Sequence, residues 1–409
     1  MVDVKRVLYL IGQFPAINHG YLLAEIQHLR KLGIEVWVAS VSPPDRALDQ
    51  LCPAEREEAA RTYYLKSVPA WRAAFLQLGE FLRNPWGYLR GLTFALRLAR
   101  GNPRRILFHL AYFAEAILVG RRMRENEVSH VMANFSATVA IIAARTFPIT
   151  MSFTVHGFGE LYDPVGTSLG ERIQGSLFVR SVSRYGRGQL MLACERSQWP
   201  KLLYFPLGIN TAAFVPRPSR EFGCPPRLLC VGRLAPEKGQ GLLLEAIAAL
   251  RDEGCPVCLR LAGDGPDRKW LESRAAELGV FSSVEFAGWI DPTQLRGIYG
   301  ETDIFVLPSL AEGIPIVLME AMAMQIPCVA PRIAGIPELI SDGVDGMLYA
   351  VANVDELASK VRTLIDSPEL CAQIGVRARA RVMREYEMSA NTQSFAMALA
   401  ERLGSGSLR

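Results

Sequence analysis

Leu307-Pro308-Ser309-Leu310-Ala311-Glu312-Gly313-Ile314-Pro315-Ile316-Val317-Leu318-Met319-Glu320-Ala321 packs a strand end, a turn and a helix start into one short stretch. The apolar run Asp303–Leu307 leading into it reads as a buried strand. Pro315 suits the first helical turn, because its ring presets φ and its missing N–H would be unsatisfied there anyway. Glu312 then stands in the loop, and Glu320 stands inside the helix among Val317, Leu318, Met319, Ala321, Met322 and Ala323. A carboxylate in that setting needs a buried partner or a ligand hydroxyl, since desolvating it bare is costly. The pattern alone admits two readings: two carboxylates gripping two polyols, or a helix-start Glu followed by a salt-bridged core Glu.

The same grammar appears upstream in Val231-Gly232-Arg233-Leu234-Ala235-Pro236-Glu237-Lys238-Gly239-Gln240-Gly241. A strand ends, a Gly-containing loop follows, and a helix is predicted from near Gln240. In open parallel sheets, ligands bind beyond the carboxyl ends of strands, where helix N-termini present free N–H groups. Arg233 offers a planar fork and Lys238 a mobile point charge, and both suit phosphate oxygens. The loop lacks the GxGxxG spacing of dinucleotide cofactors, and by spacing alone it equally fits two solvated basic residues.

Working outward, short Val/Ile/Leu-rich runs alternate with helical patterns, which predicts parallel sheets with crossover helices. In the first half the expected strands are Arg6–Ile11, Glu35–Ala39, His130–Ala133, Thr150–Val155, Leu177–Val182 and Lys201–Phe205. In the second half they are Arg227–Val231, Val257–Ala262, Ser283–Ala287, Asp303–Leu307, Cys328–Pro331 and Met347–Tyr349. Pro206–Pro226 holds Pro206, Pro216, Pro218, Pro225 and Pro226 without periodicity and reads as a linker. At 409 residues, about 150 residues per domain gives two sizeable domains. We therefore expect an α/β protein of two Rossmann-like domains.

Composition excludes much else. Half the residues are hydrophobic and 21% charged, which rules out disordered, collagen-like and coiled-coil classes. The net charge of +4 is too mild to argue for nucleic acid. Residues 66–125, however, hold eleven basic side chains against Glu80, Glu115 and Glu125, so this segment carries +8 and could meet something anionic. Eight Cys are no disulfide framework, and Cys255-Pro-Val-Cys258 reads as a pair of buried thiols at a strand start. No stretch reaches about 18 uninterrupted apolar residues, so a cytoplasmic or peripheral protein is expected. The tail from Gly404 looks disordered.

The motifs together resemble a known family. EGIPIVLMEAMA (Glu312–Ala323), preceded by GRLAPEKG (Gly232–Gly239) and followed by Ala334-Gly335-Ile336-Pro337-Glu338 and Asp345-Gly346, is similar to glycosyltransferase family 4. LYLIGQFPAINHGYLLAEIQHLRKLGIEV and SFTVHGFGELYD resemble enzymes of the colanic-acid and exopolysaccharide type. The resemblance runs from Val7 to about Met388. It implies a retaining enzyme of the GT-B fold: two Rossmann-like domains whose parallel sheets face a central cleft. It also implies a C-terminal helix packing back on the N-terminal domain. The expected division is 1–210 with the helix 386–403 on the acceptor side, and 211–385 for the nucleotide sugar.

The resemblance also implies residue roles. Arg233 and Lys238, with Gly232, would hold the nucleotide diphosphate and offset charge on the leaving group. Glu320 would bind ribose hydroxyls, while Glu312 and the N–H groups of Gly313 and Ile314, next to Pro315, would hold the transferred sugar. Gly12 matches a glycine that lets backbone approach the diphosphate, where many members carry a pair. His156 matches a histidine facing the donor sugar, and Ser183-Arg184 another position facing the cleft. Gly263-Asp264 and Trp289-Ile290 would flank base and ribose. Gly159 stands where relatives often carry a carboxylate. Asp-x-Asp is absent from the chain, so cationic side chains are expected in place of a metal, with no cofactor.

The expected activity is hexosyl transfer from a UDP- or GDP-sugar to a lipid-linked or polysaccharide acceptor in exopolysaccharide biosynthesis. The alternatives are a GT-B sugar-nucleotide epimerase and a catalytically silent binding subunit. A helix predicted from Pro85 to near Arg100 places Arg90, Arg97, Trp86 and Phe94 on one face. That face fits an anionic membrane, and hence a peripheral location at its inner surface, or else a solvated Arg stripe.

Overall fold

The computed structural model of the protein describes residues 6–216 and 222–405. The chain divides into two compact units. One comprises the residues up to Val182, Gly186–Phe205 and the stretch from Thr392; the other comprises Ser183–Tyr185 and Pro206–Asn391.

In the first unit, β1 (Arg6–Gln13), β2 (Glu35–Ser42), β3 (Tyr63–Tyr64), β4 (His130–Asn134), β5 (Thr150–Val155), β6 (Val179–Ser181) and β7 (Leu202–Tyr204) form one sheet. Its order is β3-β2-β1-β4-β5-β6-β7, and all neighbours are parallel. In the second, β8 (Arg227–Val231), β9 (Cys258–Ala262), β10 (Val284–Gly288), β11 (Ile304–Val306), β12 (Cys328–Pro331) and β13 (Met347–Tyr349) run β10-β9-β8-β11-β12-β13. These pairs are parallel as well. Both sheets are doubly wound, and the order reverses between β1 and β4 and between β8 and β11, which opens a binding crevice at those strand ends. Helices cover both faces, so Val7–Ile11 are buried without alternation, as a parallel sheet requires.

The strands lie where the apolar runs predict them, but β6 and β7 are shorter, and β3 is an addition at the sheet edge too brief to show a period. Pro315 is not in the first helical turn. It sits just before the helix Ile316–Ala323 with ψ 121°, an extended residue at the N-cap position that makes no side-chain cap. The Cys255–Cys258 pair is not buried either: Cys258 is exposed and Cys255 half-buried, because β9 begins at Cys258 on the open rim of the sheet.

The proline-rich stretch is tied to the second unit. Ile209 bridges to Glu387, and Thr211 donates to the Glu387 carboxylate from both its backbone N (3.2 Å) and its Oγ1 (2.5 Å). The chain therefore passes between units at 205/206 and 391/392, where the sequence suggested 210/211 and 385/386. Pro218 and residues 406–409 of the tail lie outside the described residues, while Gly404 and Ser405 end the helix Met388–Ser405. From that helix Phe395, Ala396 and Leu399 enter the first unit's core beside Val7, Tyr9 and Phe178. There the Arg180 guanidinium lies over the Phe395 ring, 4.2 Å from its centroid. Arg180 is held by Glu25 Oε2 at 2.6 Å and donates to Phe205 O at 3.1 Å, while Tyr9 OH donates to Glu25 Oε1.

Candidate functional site

In the second unit the candidate residues converge on the carboxyl edge of one sheet, because β10, β9, β8 and β11 are consecutive neighbours. At the end of β8, Gly239 takes a left-handed φ of +64°, and a Cβ there would lie 2.3 Å from Pro308 O, so only glycine lets the two loops meet. That close approach sets Lys238 Nζ 2.6 Å from Glu312 Oε1. Ser309 Oγ donates to the same oxygen at 2.7 Å. Glu312 Oε2 and the N–H groups of Gly313 and Ile314 have no hydrogen-bond partner among the described residues. One acceptor and two donors are therefore available beside a positive charge, at the reversal point of the sheet.

Arg233 is not part of that cluster. Its guanidinium is exposed and pairs with Glu237 at 2.6 Å, while Gln240 Nε2 holds its backbone carbonyl at 2.9 Å. Gly232 is pinned by its N–H to Ala262 O, and Gly263, at φ +148°, passes so close that a Cβ would be 2.0 Å from Gly232 O. Asp264 turns its carboxylate onto the Gly265 N–H, and Gly263 N donates to Gly288 O, which brings Trp289 and Ile290 to the same edge. Trp289 is exposed and Ile290 half-buried in the core beneath.

Glu320 faces Tyr299, whose hydroxyl donates to Oε2 at 2.9 Å. Burial pushes the Glu320 carboxyl up to about 7, against the pull of Tyr299 and of Arg296. Tyr299 was missed from the sequence because nothing in the spacing pairs it with a residue in the helix after β11. Ser183 is buried, and Arg184 N and Tyr185 N donate to the two oxygens of Glu338 at 2.8 and 2.7 Å.

In the first unit the ends of β1, β4 and β5 assemble a second group. Gly12 is the penultimate residue of β1, and a Cβ there would touch Phe135 at 3.4 Å. His156 follows β5; its Nε2–H donates to Asn134 Oδ1 at 2.8 Å, leaving Nδ1 to face Tyr21 OH at 3.4 Å. Burial, reinforced by Arg180 and His19, holds His156 well below the usual histidine range, so it is neutral at pH 7. Phe135 stacks between His156 and His19, at 4.6 and 4.9 Å. Its φ of +62° is an uncommon value for an aromatic residue. Glu160 Oε2 accepts the His156 N–H, and burial raises its carboxyl to about 7. Asn134 and Phe135 lie outside the quoted motifs, and His19 and Tyr21, inside one, had no role assigned; only the strand order brings the four to His156.

The basic helix departs from its sequence reading. It spans Pro85–Leu98 and leaves Trp86 exposed. Phe94, however, packs against the core under the Arg145 guanidinium, and Arg90 Nε donates to Arg145 O. Arg90 and Phe94 are thus tied to the protein, while Trp86 and Arg97 stay exposed. The preceding helix, Ala70–Arg83, instead turns Trp71, Phe75, Leu78 and Leu82 outward. Its opposite side buries Glu80 against Arg124 at 2.7 Å.

Doubly wound sheets in both units, with charged loops at their carboxyl edges, define the GT-B class of glycosyltransferases. The family of group 1 glycosyl transferases matches residues 214–381. The amylovoran biosynthesis glycosyltransferase of Erwinia amylovora is 33% identical over 408 residues, covering 93% of this chain and 96% of that one. A putative colanic acid biosynthesis glycosyltransferase of Escherichia coli is 25% identical over 422 residues, covering 96% and 99%. Among solved structures, Anabaena HepE in complex with UDP and glucose matches with a TM-score of 0.73 at 19% identity, covering 97% and 100%. This chain belongs to the group 1 glycosyltransferases and has their GT-B fold. It is a transferase of sugars, as the exopolysaccharide motifs suggested. Among the described residues no helix is long and apolar enough to cross a membrane.

Proposed function

We propose that the protein is a retaining, metal-independent family 4 enzyme. It moves a hexosyl group from a nucleotide-diphosphate sugar to a lipid-linked or polysaccharide acceptor in exopolysaccharide biosynthesis. The observation that carries this reading is the cluster of Lys238, Glu312 and Ser309 beside the Gly313 and Ile314 N–H groups at the sheet reversal. A cation and fixed N–H donors suit the charge that develops on a departing diphosphate, and they need no reorganisation as it forms. Arg233 and Lys238 take the place of a metal; Gly232 and Gly263 admit the backbone-close phosphates; Asp264, Trp289, Ile290 and Glu320 receive the nucleoside; Glu312, next to Pro315, receives the sugar. Within the first unit, Gly12 and neutral His156 stand at the ends of β1 and β5, and Ser183 and Arg184 belong to the second unit. By the same reading, substitution is front-face within an ion pair, without a covalent glycosyl-enzyme.

The same reading places the enzyme peripherally on an anionic membrane, at its cytoplasmic face. The support lies on the helix Ala70–Arg83, where Trp71, Phe75, Leu78 and Leu82 recur at spacings of four, three and four and are all exposed, with Arg72 and Arg83 beside them. Rings settle among headgroups while arginines meet lipid phosphates. The experiment is a thermal-shift screen of UDP-, GDP- and ADP-sugars, followed by transfer of labelled sugar in excess EDTA. One nucleotide sugar should raise the melting temperature, as any ligand selective for the native state does. Stabilisation with consumption of the nucleotide sugar but no acceptor-linked product would favour epimerisation instead.

A further inference from the structure

Away from the strand ends, the first unit holds a cavity of about 230 Å³ lined by Arg105, His109, Tyr112, Thr138, Ser168 and Arg172, with Phe108 as an apolar wall. No carboxylate lines it. We propose that this cavity is a binding site for a phosphate group carried on an apolar chain. The proposal deepens the acceptor half of the reading above and rests on it.

Four observations carry it. The first is unspent positive charge. Arg105 spends one N–H on Gly166 O at 2.5 Å, and Arg172 one on Thr138 Oγ1 at 2.5 Å. Neither has a carboxylate within ion-pair distance among the described residues; Glu160 and Glu171 attract Arg172 only from farther away. A guanidinium has five N–H donors in a planar fork that matches phosphate oxygens. Burial outweighs those attractions and lowers the Arg172 pKa, so the charge is poorly solvated and gains from an anion. Secondly, the Ser168 hydroxyl is buried with no hydrogen-bond partner, on a residue at φ +53°. A buried hydroxyl left unpaired is costly, and a ligand oxygen would satisfy it.

Thirdly, His109 is set to respond to an anion. Its Nδ1–H donates to Arg105 O at 2.8 Å, which leaves Nε2 as the titrating atom. Burial and the two arginines hold its pKa down, and an oxyanion between those arginines would remove that repulsion. Fourthly, the rim is apolar. Phe108, which lines the cavity, and Leu107 and Leu110 of the same helix Pro103–Glu125 are exposed. The volume lies below the roughly 300–1,000 Å³ of pockets for drug-sized ligands, so a phosphate or diphosphate fits where a nucleotide sugar does not. The cavity is also coupled to the donor-side group, because Arg172 attracts Glu160, whose carboxylate holds the His156 N–H.

The test is calorimetric titration of the full chain with farnesyl phosphate, farnesol and inorganic phosphate. Farnesyl phosphate should bind at least about tenfold more tightly than either of the others. Arg105→Gln and Arg172→Gln should each weaken it by roughly 10- to 100-fold, the loss expected for hydrogen bonds to a charged group, with farnesol binding unchanged. Arg105 is only half-buried, so its variant keeps the test open if Arg172→Gln does not fold. Wild-type affinity for farnesyl phosphate in Arg105→Gln would overturn the proposal. So would equal affinity for inorganic and farnesyl phosphate, which would mark a site for free phosphate. Failure of the wild type to bind farnesyl phosphate, with transfer to a soluble saccharide intact, would sink this site alone. Phosphate binding that persists when no lipid-linked acceptor is used would sink the acceptor reading and leave the site standing.

Discussion

Lys238 Nζ lies 2.6 Å from Glu312 Oε1, joining the loop after β8 to the loop after β11 across the point where the strand order reverses. The two side chains were read separately from the sequence, one for phosphate and one for sugar, and the fold makes them a pair. A donor bound there would insert its diphosphate beside a cation already oriented by a carboxylate.

The pair should therefore act as a unit. Lys238→Ala should raise the barrier by about 2–4 kcal/mol, as loss of other charge-stabilising donors does. Glu312→Ala should lower kcat more than it raises KM. In a double-mutant cycle the two losses should fall well short of additive, because contacting residues share one interaction. Additive effects in steady-state kinetics would show that the substrate separates their roles.

Glu320 yields a pH prediction. Its carboxyl, raised to about 7 by burial, is protonated in much of the native population at pH 6 and ionised at pH 8. An ionised carboxylate accepts two ribose hydroxyls, so the donor KM should fall as pH rises from 6 to 8, a range in which a diphosphate diester does not titrate. Glu320→Gln should flatten that profile, with kcat little changed. The stability consequence has the opposite sign. The native state binds the extra proton between about pH 4.5 and 7, so this group's contribution declines as pH rises through that window. Urea midpoints of wild type and Glu320→Gln across it measure the difference.

The exposed face of the helix Ala70–Arg83 should direct membrane binding. Changing Trp71, Phe75 and Leu82 to Ser should abolish sedimentation with vesicles containing anionic lipid. Arg90→Gln with Arg97→Gln should weaken it only in part, since Arg90 is committed to Arg145 O. Salt should release the wild type, because each arginine near such a surface contributes about 1 kcal/mol that is screened within a Debye length. Unchanged sedimentation of the triple variant would remove the membrane from the proposed function.

The Arg180–Glu25 pair should dominate the stability of the first unit's core. Glu25→Gln leaves Arg180 charged and buried beneath Phe395, which should cost about 3–5 kcal/mol. Arg180→Met with Glu25→Leu should recover most of that loss, because an apolar pair of similar volume needs no desolvation. Chemical denaturation of the full chain reads both.

Period and punctuation carried the architecture. Apolar runs of strand length, separated by helical patterns, dictated parallel sheets, because a strand covered on both faces must be apolar throughout. The glycines and prolines bounding 231–241 and 307–321 marked where those strands end, and charged residues just past a strand end mark the ligand edge whatever the rest of the fold. Arg233, Lys238, Glu312 and Glu320 were therefore legible as local features. What sequence spacing could not contain is distance across the chain. Tyr299 meets Glu320 because the helices before and after β11 pack together, while Ser309 shares an oxygen with Lys238, and Asn134, Tyr21 and Phe135 surround His156, only because non-sequential strands lie side by side. Phe94 leaves the basic stripe for the same reason: helical periodicity sorts residues by face, but which of them meets the core depends on the neighbouring helix. The outward turn of Trp71, Phe75, Leu78 and Leu82 is likewise a fact of tertiary packing, since the burial of Glu80 against Arg124 fixes how that helix is rotated.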